Sequence, residues 1–369
     1  MIKKLFEVQK YLKNGKTLKN LEEEFAIKYK WHPNLPIFIL DYTIDSPKTH
    51  PITIECRSLV LDENFDIVSV SFRRFFNYGE ALDITKEFNW DDFSSWEKLD
   101  GSYIAIFSYK GELVIRTRFS WADSDCGLSN RTWGLLVVSC LTEDQINMIC
   151  KNDNLTLVFE LTSPWNQVVK YYPNTDITLL TVIYNDGREL GQTGVNFIAR
   201  EFGFKRPQEF NFKSIDECIE YLDNMNAEKT TDEGFVLLDD NRLRLKIKNK
   251  YYLLLHSLNG NDELTSFKKL VPVCLNGEID EIVAYFPHLK DIVEETKFKL
   301  SDSYKVLKNW WIQSRDIEDR KTFAISIKDC RFSGILFSLK NQLGCNSVEA
   351  DLWREWLKSE KLIIKVLFD

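Results

Sequence analysis

The residues that could do chemistry begin with Lys98-Leu99-Asp100-Gly101, which precedes the β-rich run Ser102–Phe107. On a strand, positions two apart share a face, so Lys98 and Asp100 are expected to point together into one pocket. A lysine nucleophile must be neutral, a state favoured by nearby cations or by burial. Asp100 would hold the amine or a metal-bound water, and Gly101 would let a ligand approach the backbone. Taken alone, the four residues are better read as a hairpin with an exposed lysine.

A second constellation is Arg242-Leu243-Arg244-Leu245-Lys246-Ile247-Lys248-Asn249-Lys250, in which basic and non-basic residues alternate strictly. As a strand it presents one cationic face and one largely apolar face. Like charges along one face repel, so such a row suits a polyanion such as a triphosphate or an RNA backbone. A solvated edge strand, on which lysines discourage aggregation, fits the same pattern. Arg116 and Arg118 repeat the two-residue spacing and favour a lined cationic pocket. Glu160 follows Leu155–Phe159, and Glu233 directly precedes Gly234-Phe235-Val236. A carboxylate at a strand edge can bind a ribose hydroxyl or a divalent metal, although each alone also reads as a solvated turn residue.

In chain order, Lys98-Leu99-Asp100-Gly101, Phe159-Glu160, Glu233-Gly234-Phe235-Val236 and Lys246-Ile247-Lys248 resemble the nucleotidyltransferase motifs of covalent ligases and capping enzymes. Further segments are similar to the bacteriophage T4 RNA ligase 1 family. They are Glu55-Cys56-Arg57, Phe75-Phe76-Asn77, the positions Pro164, Asn166 and Tyr171, then Tyr252 and His256. In the last third they are Gly277, Asp280 and Asp319–Ala324. The resemblance implies ATP as co-substrate with Mg²⁺ or Mn²⁺, and RNA with 5′-phosphate and 3′-hydroxyl ends as the other partner. A tRNA cut in the anticodon loop is the expected natural form. Lys98 would attack the α-phosphate, and Arg57, Arg74 and Arg118 would bind the nucleotide's phosphates. Lys246 and Lys248 would lie on the α-phosphate and the leaving pyrophosphate. Glu160 would contact the ribose, Glu233 would serve metal or nucleotide, Tyr252 matches a position important for activity, and Asp280 matches a metal-contacting position. The chain departs from the family pattern at Ser58, where glycine is usual, at Arg74, Arg116 and Arg118, where lysine is usual, and at Gln167, where arginine is usual.

These side chains need a scaffold, and 369 residues suffice for two domains. The composition, 44% hydrophobic and 28% charged, is that of an ordinary folded protein. A net charge of −8 argues against a wholly nucleic-acid-coated surface and confines any polyanion site to a local cluster. Eight scattered cysteines without CxxC read as reduced thiols. No run approaches the ~20 apolar residues of a membrane span, so a cytoplasmic monomer is expected, in the host cytoplasm if the protein is viral.

The fold class expected is α+β, an antiparallel-sheet adenylyltransferase domain with an N-terminal flank over 1–255 and an all-helical RNA-specificity domain over 256–369. Helical spacing broken at Asn14–Gly15 occupies 2–30. Strands are expected at 52–61, 67–72, 102–108, 112–119, 155–161, 177–184, 234–238 and 242–248, and helices at 131–150, 192–203 and 214–224. Asn346 with Glu349 would form a capping box, and Trp310, Trp311, Trp353 and Trp356 have the spacing of core residues. Other readings are a DNA ligase or capping-type enzyme, disfavoured because no OB-fold pattern follows Lys248, and a non-catalytic RNA-binding relative, disfavoured because no catalytic residue is lost.

Overall fold

The computed structural model of the chain describes residues 6–126, 131–227, 230–250, 252–253, 256, 267–277, 279, 283 and 289–368. It divides into two units, Met1–His256 and Ser257–Asp369. The first unit contains thirteen strands among its described residues: β1 (Ile27–Trp31), β2 (Ile37–Tyr42), β3 (Arg57–Asp62), β4 (Ile67–Ser69), β5 (Phe76–Asn77), β6 (Phe93–Glu97), β7 (Ser102–Tyr109), β8 (Glu112–Arg116), β9 (Leu155–Thr162), β10 (Asp176–Tyr184), β11 (Glu209–Phe210), β12 (Gly234–Asp239) and β13 (Arg244–Lys248). They form three sheets ordered β1-β2-β3-β4, β10-β9-β7-β8 and β11-β6-β12-β13-β5. Every pairing is antiparallel except the short contact of β13 with β5.

Period-two alternation explains how these sheets are used. Leu157, Phe159 and Leu161 of β9 and Ile104 and Ile106 of β7 pack against helices Trp133–Val138, Glu143–Cys150 and Gln192–Phe202 through Leu136, Val137, Ile149, Val195 and Ala199. Each such fully buried side chain stabilises the fold by roughly 1.5–3 kcal/mol. The opposite face carries Tyr103 and Glu160, directly paired across β7 and β9. In the five-stranded sheet, Phe235, Leu237, Leu245 and Ile247 pack with Cys218 and Leu222 of helix Ile215–Ala227. That leaves Val236, Leu238, Arg244, Lys246 and Lys248 on the other face.

Several local expectations change. The region 131–150 is two helices because Thr142 caps a new one, its hydroxyl accepting from the Gln145 N–H at 3.3 Å and its own N–H bonding Gln145 Oε1 at 2.8 Å. Residues 51–55 form a short helix, with Pro51 in the first turn and the His50 ring accepting from the Ile52 N–H at 3.3 Å, so β3 starts only at Arg57. The β8 strand stops at Arg116, where the Thr117 hydroxyl accepts from the N–H groups of Phe119 and Ser120 and turns the chain. The cationic strand is five residues long. Arg242 stands in the turn at φ 66°, and Lys250 lies beyond the strand, 3.6 Å from Asp223.

The described part of the second unit is helical: Phe267–Asn276, Lys290–Ser314, Arg320–Ser326, Ser333–Leu343, Glu349–Lys358 and Glu360–Phe368. Val293, Leu300, Leu307 and Trp311 are buried along one stripe of the long helix. Trp311 donates to Ser347 at 3.1 Å, and Trp356 packs against Tyr304 and Phe332. The capping residue of Glu349–Lys358 is Val348, whose N–H bonds Asp351 at 3.0 Å, in place of the expected Asn346–Glu349 pair.

Candidate active site

Strand register places the basic row and Lys98 on one face of one sheet. Gly234 pairs Lys248, Val236 pairs both Lys246 and Trp96, and Leu238 pairs both Arg244 and Ser94. Successive rows are about 6.6 Å apart. Lys98 continues β6 beyond Glu97 and ties its N–H to the Gly234 carbonyl at 2.8 Å, so it lies in the row of Gly234 and Lys248. Gly234 is required there: its φ is +133°, and a Cβ would meet the Ile247 carbonyl oxygen at 2.2 Å.

Glu233 accepts from two lysines. Its Oε2 is 2.6 Å from Lys98 Nζ and its Oε1 is 3.0 Å from Lys248 Nζ. Only 5% of the Glu233 side chain is exposed, yet the two ammonium groups outweigh burial and hold its carboxyl below the usual range. Glu160 behaves oppositely. It is in no direct ion pair among the described residues, and burial, with Glu233 nearby, pushes it up to about 7 against the pull of Lys98 and Arg57. Glu160 is interior to β9, which runs two residues past it to Thr162, rather than at a strand edge.

A cavity of about 270 Å³ opens beside Lys98, lined by side chains of β3, β6, β7, β9, β10, β12 and β13. Arg57, Lys98 and Glu160 contribute charge, and Phe72, Phe75, Trp96, Tyr103, Leu180, Val236 and Leu238 contribute apolar surface. The Arg57 guanidinium sits 5.3 Å from the ring centres of Phe75 and Tyr103 and 5.5 Å from that of Phe72. The basic row is largely neutralised within the fold: Arg244 forms a two-pronged pair with Glu189, and Lys248 pairs with Glu233. Lys246 Nζ lies 5.5 Å from the Phe75 ring centre.

Other sequence-designated residues sit elsewhere. Asp100 does not share a strand face with Lys98, because residues 98–101 are the link between β6 and β7. Its carboxylate accepts from the N–H groups of Val169 and Lys170 at 2.8 and 2.6 Å and from the Tyr252 hydroxyl at 2.6 Å. Asp100 and Tyr252, both buried, therefore tie the 169–170 loop to the segment after β13. Gly101 admits a neighbouring strand: a Cβ there would meet the Leu161 carbonyl oxygen at 2.4 Å. Arg74 and Arg118 stack on Tyr42, at 4.2 and 4.4 Å from its ring centre, and Arg118 also pairs with buried Asp41 at 2.8 Å. Neither lines the cavity. Arg116 is wholly buried, bonded to Ser58 and to Ser69 at 3.0 Å. Burial lowers its pKa, and no carboxylate pairs with it among the described residues. Ser58 holds φ 59°, the left-handed conformation that the glycine of the family pattern adopts easily. Asp280 lies outside the described residues. Arg206 and Gln192 line the cavity without having been singled out in the sequence.

A model of the RNA ligase family, of the T4 ligase 1 type, matches residues 55–252, which span every strand from β3 to β13 and Lys98, Glu160, Glu233, Lys246 and Lys248. The chain belongs to this RNA ligase family. It is 34% identical over 310 residues to a protein of Autographa californica nuclear polyhedrosis virus described as a bifunctional polynucleotide kinase/RNA ligase, a match covering 79% of this chain. The chain spans 43% of that relative's length. Among solved structures, an archaeal ATP-dependent RNA ligase is similar in fold, with a TM-score of 0.51 and 14% identity, covering 90% of this chain and 81% of that one. No helix among the described residues is long and apolar enough to cross a membrane.

Among the described residues no three His, Cys, Asp or Glu side chains gather as a metal cage. Glu233 is committed to two lysines, whereas Glu160 is a carboxylate lacking a direct counter-ion. A divalent ion arriving with the nucleotide would find in Glu160 a carboxylate not committed to an ion pair among the described residues, and the phosphates would supply its other oxygens, the usual manner of Mg²⁺.

Proposed function

We propose that this chain is an ATP-dependent RNA ligase that forms a lysyl-AMP on Lys98. The observation that carries the reading is that Lys98 lines the cavity of about 270 Å³, beside two carboxylates and on the same sheet face as Lys246 and Lys248. The short contact with Glu233 is an ion pair of an ammonium with a carboxylate, so Lys98 must release a proton before attack. Lys248 on the other oxygen competes for the same negative charge and weakens that hold. The amine then forms a bond to the α-phosphorus of ATP while the bond to the β-phosphate oxygen breaks and pyrophosphate leaves. An RNA 5′-phosphate oxygen next attacks that phosphorus, returning the lysine and forming a 5′-adenylated RNA. A 3′-hydroxyl finally attacks the RNA phosphorus, releasing AMP and closing the phosphodiester.

All three steps are displacements at phosphorus, so catalysis rests on position and on neutralising oxygen charge. Arg57, Lys246 and Lys248 would supply fixed positive charge, and Glu160 would take the ribose hydroxyls or a divalent ion. Such an ion would draw charge from the phosphate oxygens. The natural substrate proposed is RNA cut within a tRNA anticodon loop, met in the cytoplasm of a host cell if the protein is viral. The helical unit would recognise the RNA, and Asp280 would contact metal.

Incubation with α-labelled ATP followed by denaturing electrophoresis tests the reading. The native chain should retain label, and Lys98→Ala and Lys98→Arg should retain none, since guanidinium stays protonated. Label persisting on Lys98→Ala would remove this lysine from its role. Ligation of a cleaved tRNA, with nicked DNA as the control, tests the substrate.

A further inference from the structure

Arg206 commits every one of its nitrogens to β10 and to the helix Gln192–Phe202. Its Nη1 donates to the carbonyls of Leu179 at 2.5 Å and Leu180 at 2.7 Å, its Nε to Asn196 Oδ1 at 2.9 Å, and its Nη2 to Gln192 Oε1 at 2.5 Å. The two carbonyls belong to an irregularity in β10, where the register with β9 shifts between Leu179 and Thr181. The guanidinium also stacks on Trp96 at 4.7 Å from the ring centre. Trp96 stands one row along the sheet from the row of Lys98, on the same face. Burial lowers the Arg206 pKa to about 10, which leaves it charged at neutral pH.

This bracing fixes an orientation. A guanidinium has donors only, so the Gln192 amide must turn its oxygen toward Arg206 and its NH₂ group away. Gln192 lines the cavity, and no protein acceptor meets its NH₂ group among the described residues. The amide oxygen keeps a second lone pair. A donor and an acceptor side by side match adenine, which offers an N6 amino donor next to the N1 or N7 acceptor. Guanine held in the same pose sets O6 against the amide oxygen and, at the N1 edge, a proton against the NH₂ group, so at least one of the two contacts becomes unfavourable.

We propose that Gln192, held in one amide orientation by Arg206, selects adenine over guanine in this cavity. The selection rests on the nucleotide-transfer reading given above. Arg206 is the positioning residue, and Gln192 touches the base. If Gln192 were only a structural partner for Arg206, its replacement would affect every nucleotide alike.

The test measures the apparent second-order rate constant for labelling of the full chain with α-labelled ATP and with α-labelled GTP. In Gln192→Glu one carboxylate oxygen stays on Arg206 while the other presents an acceptor to the base. The ATP-over-GTP preference should then fall by about 10–100-fold, the discrimination typical of one two-pronged base contact. Gln192→Met, which keeps length without donors, should lose more rate with ATP than with GTP, so that the preference falls here too. An unchanged preference in both variants, or equal losses with both nucleotides, overturns the inference and leaves the ligase reading standing. Failure of the native chain to label with either nucleotide overturns that reading and the inference together.

Discussion

Glu233→Gln is the substitution whose consequence can be worked furthest from the geometry. The amide keeps the side chain's shape, but the charge shared by Lys98 Nζ at 2.6 Å and Lys248 Nζ at 3.0 Å disappears. One arm of the amide also becomes a donor pointing at an ammonium. Removing one partner of a buried ion pair typically costs 3–5 kcal/mol. Here two lysines lose their partner at once, but their side chains are 22% and 11% exposed and can swing toward water. The expected loss is therefore near the lower bound, about 3 kcal/mol at pH 7. The sign of its pH dependence follows from the depressed carboxyl pKa. Stability contributed by the charge is complete above the ordinary value of 4.5 and is lost as pH falls through the lower folded value. Urea unfolding of the native chain and Glu233→Gln, at pH 7 and stepwise down to about pH 3, should show a gap that closes below 4.5. A gap of the same size at every pH would mean that packing, and not charge, is what Glu233 supplies.

Glu160 should show the reverse dependence. Its carboxyl is raised to about 7, so stability is complete below 4.5 and is lost as pH rises through the folded value. Glu160→Gln escapes that loss and should be the more stable protein at pH 8 by up to about 3 kcal/mol. Thermal melts at pH 5 and pH 8 read this directly, and equal melting temperatures at pH 8 would contradict it. At Ser58, loss of the hydroxyl strands an N–H of buried Arg116, which costs about 1–3 kcal/mol. Ser58→Gly relieves the left-handed backbone that Ser58→Ala retains, so the glycine variant should be the more stable of the two by about 1 kcal/mol in urea titrations.

What the sequence disclosed and what it withheld divide along physical lines. Strand readings at 155–161 and 234–238 and the alternation over 242–248 located three site-bearing strands, the last of them two residues longer than the strand that forms, because a half-buried strand must write its two faces into the chain. Lys98, Glu160, Glu233 and Lys248 were legible as types at fixed positions on or beside those strands. The partnership of Asp100 was not, since a carboxylate in a link can turn to any nearby donor, and the amides of Val169 and Lys170 lie about seventy residues away. Arg116 and Arg118 looked alike at a spacing of two. The turn at Thr117 separates them, sending one into the interior and the other to Asp41. Arg206 and Gln192 meet only because a helix ends and the chain doubles back beside β10, which no local pattern encodes.

Lys98 is tied twice to the same dipeptide, its amide N–H to the Gly234 carbonyl and its amine to the Glu233 carboxylate, while the Asn249 N–H bonds the Glu233 carbonyl at 2.8 Å. Lys98, Glu233 and Lys248 are thus fastened to one hairpin end and travel with it. Deuterium uptake at the Lys98 and Asn249 amides should then proceed at a common rate, governed by a single opening event. Occupancy of the cavity by nucleotide should slow both by the same factor, even though Asn249 does not line it.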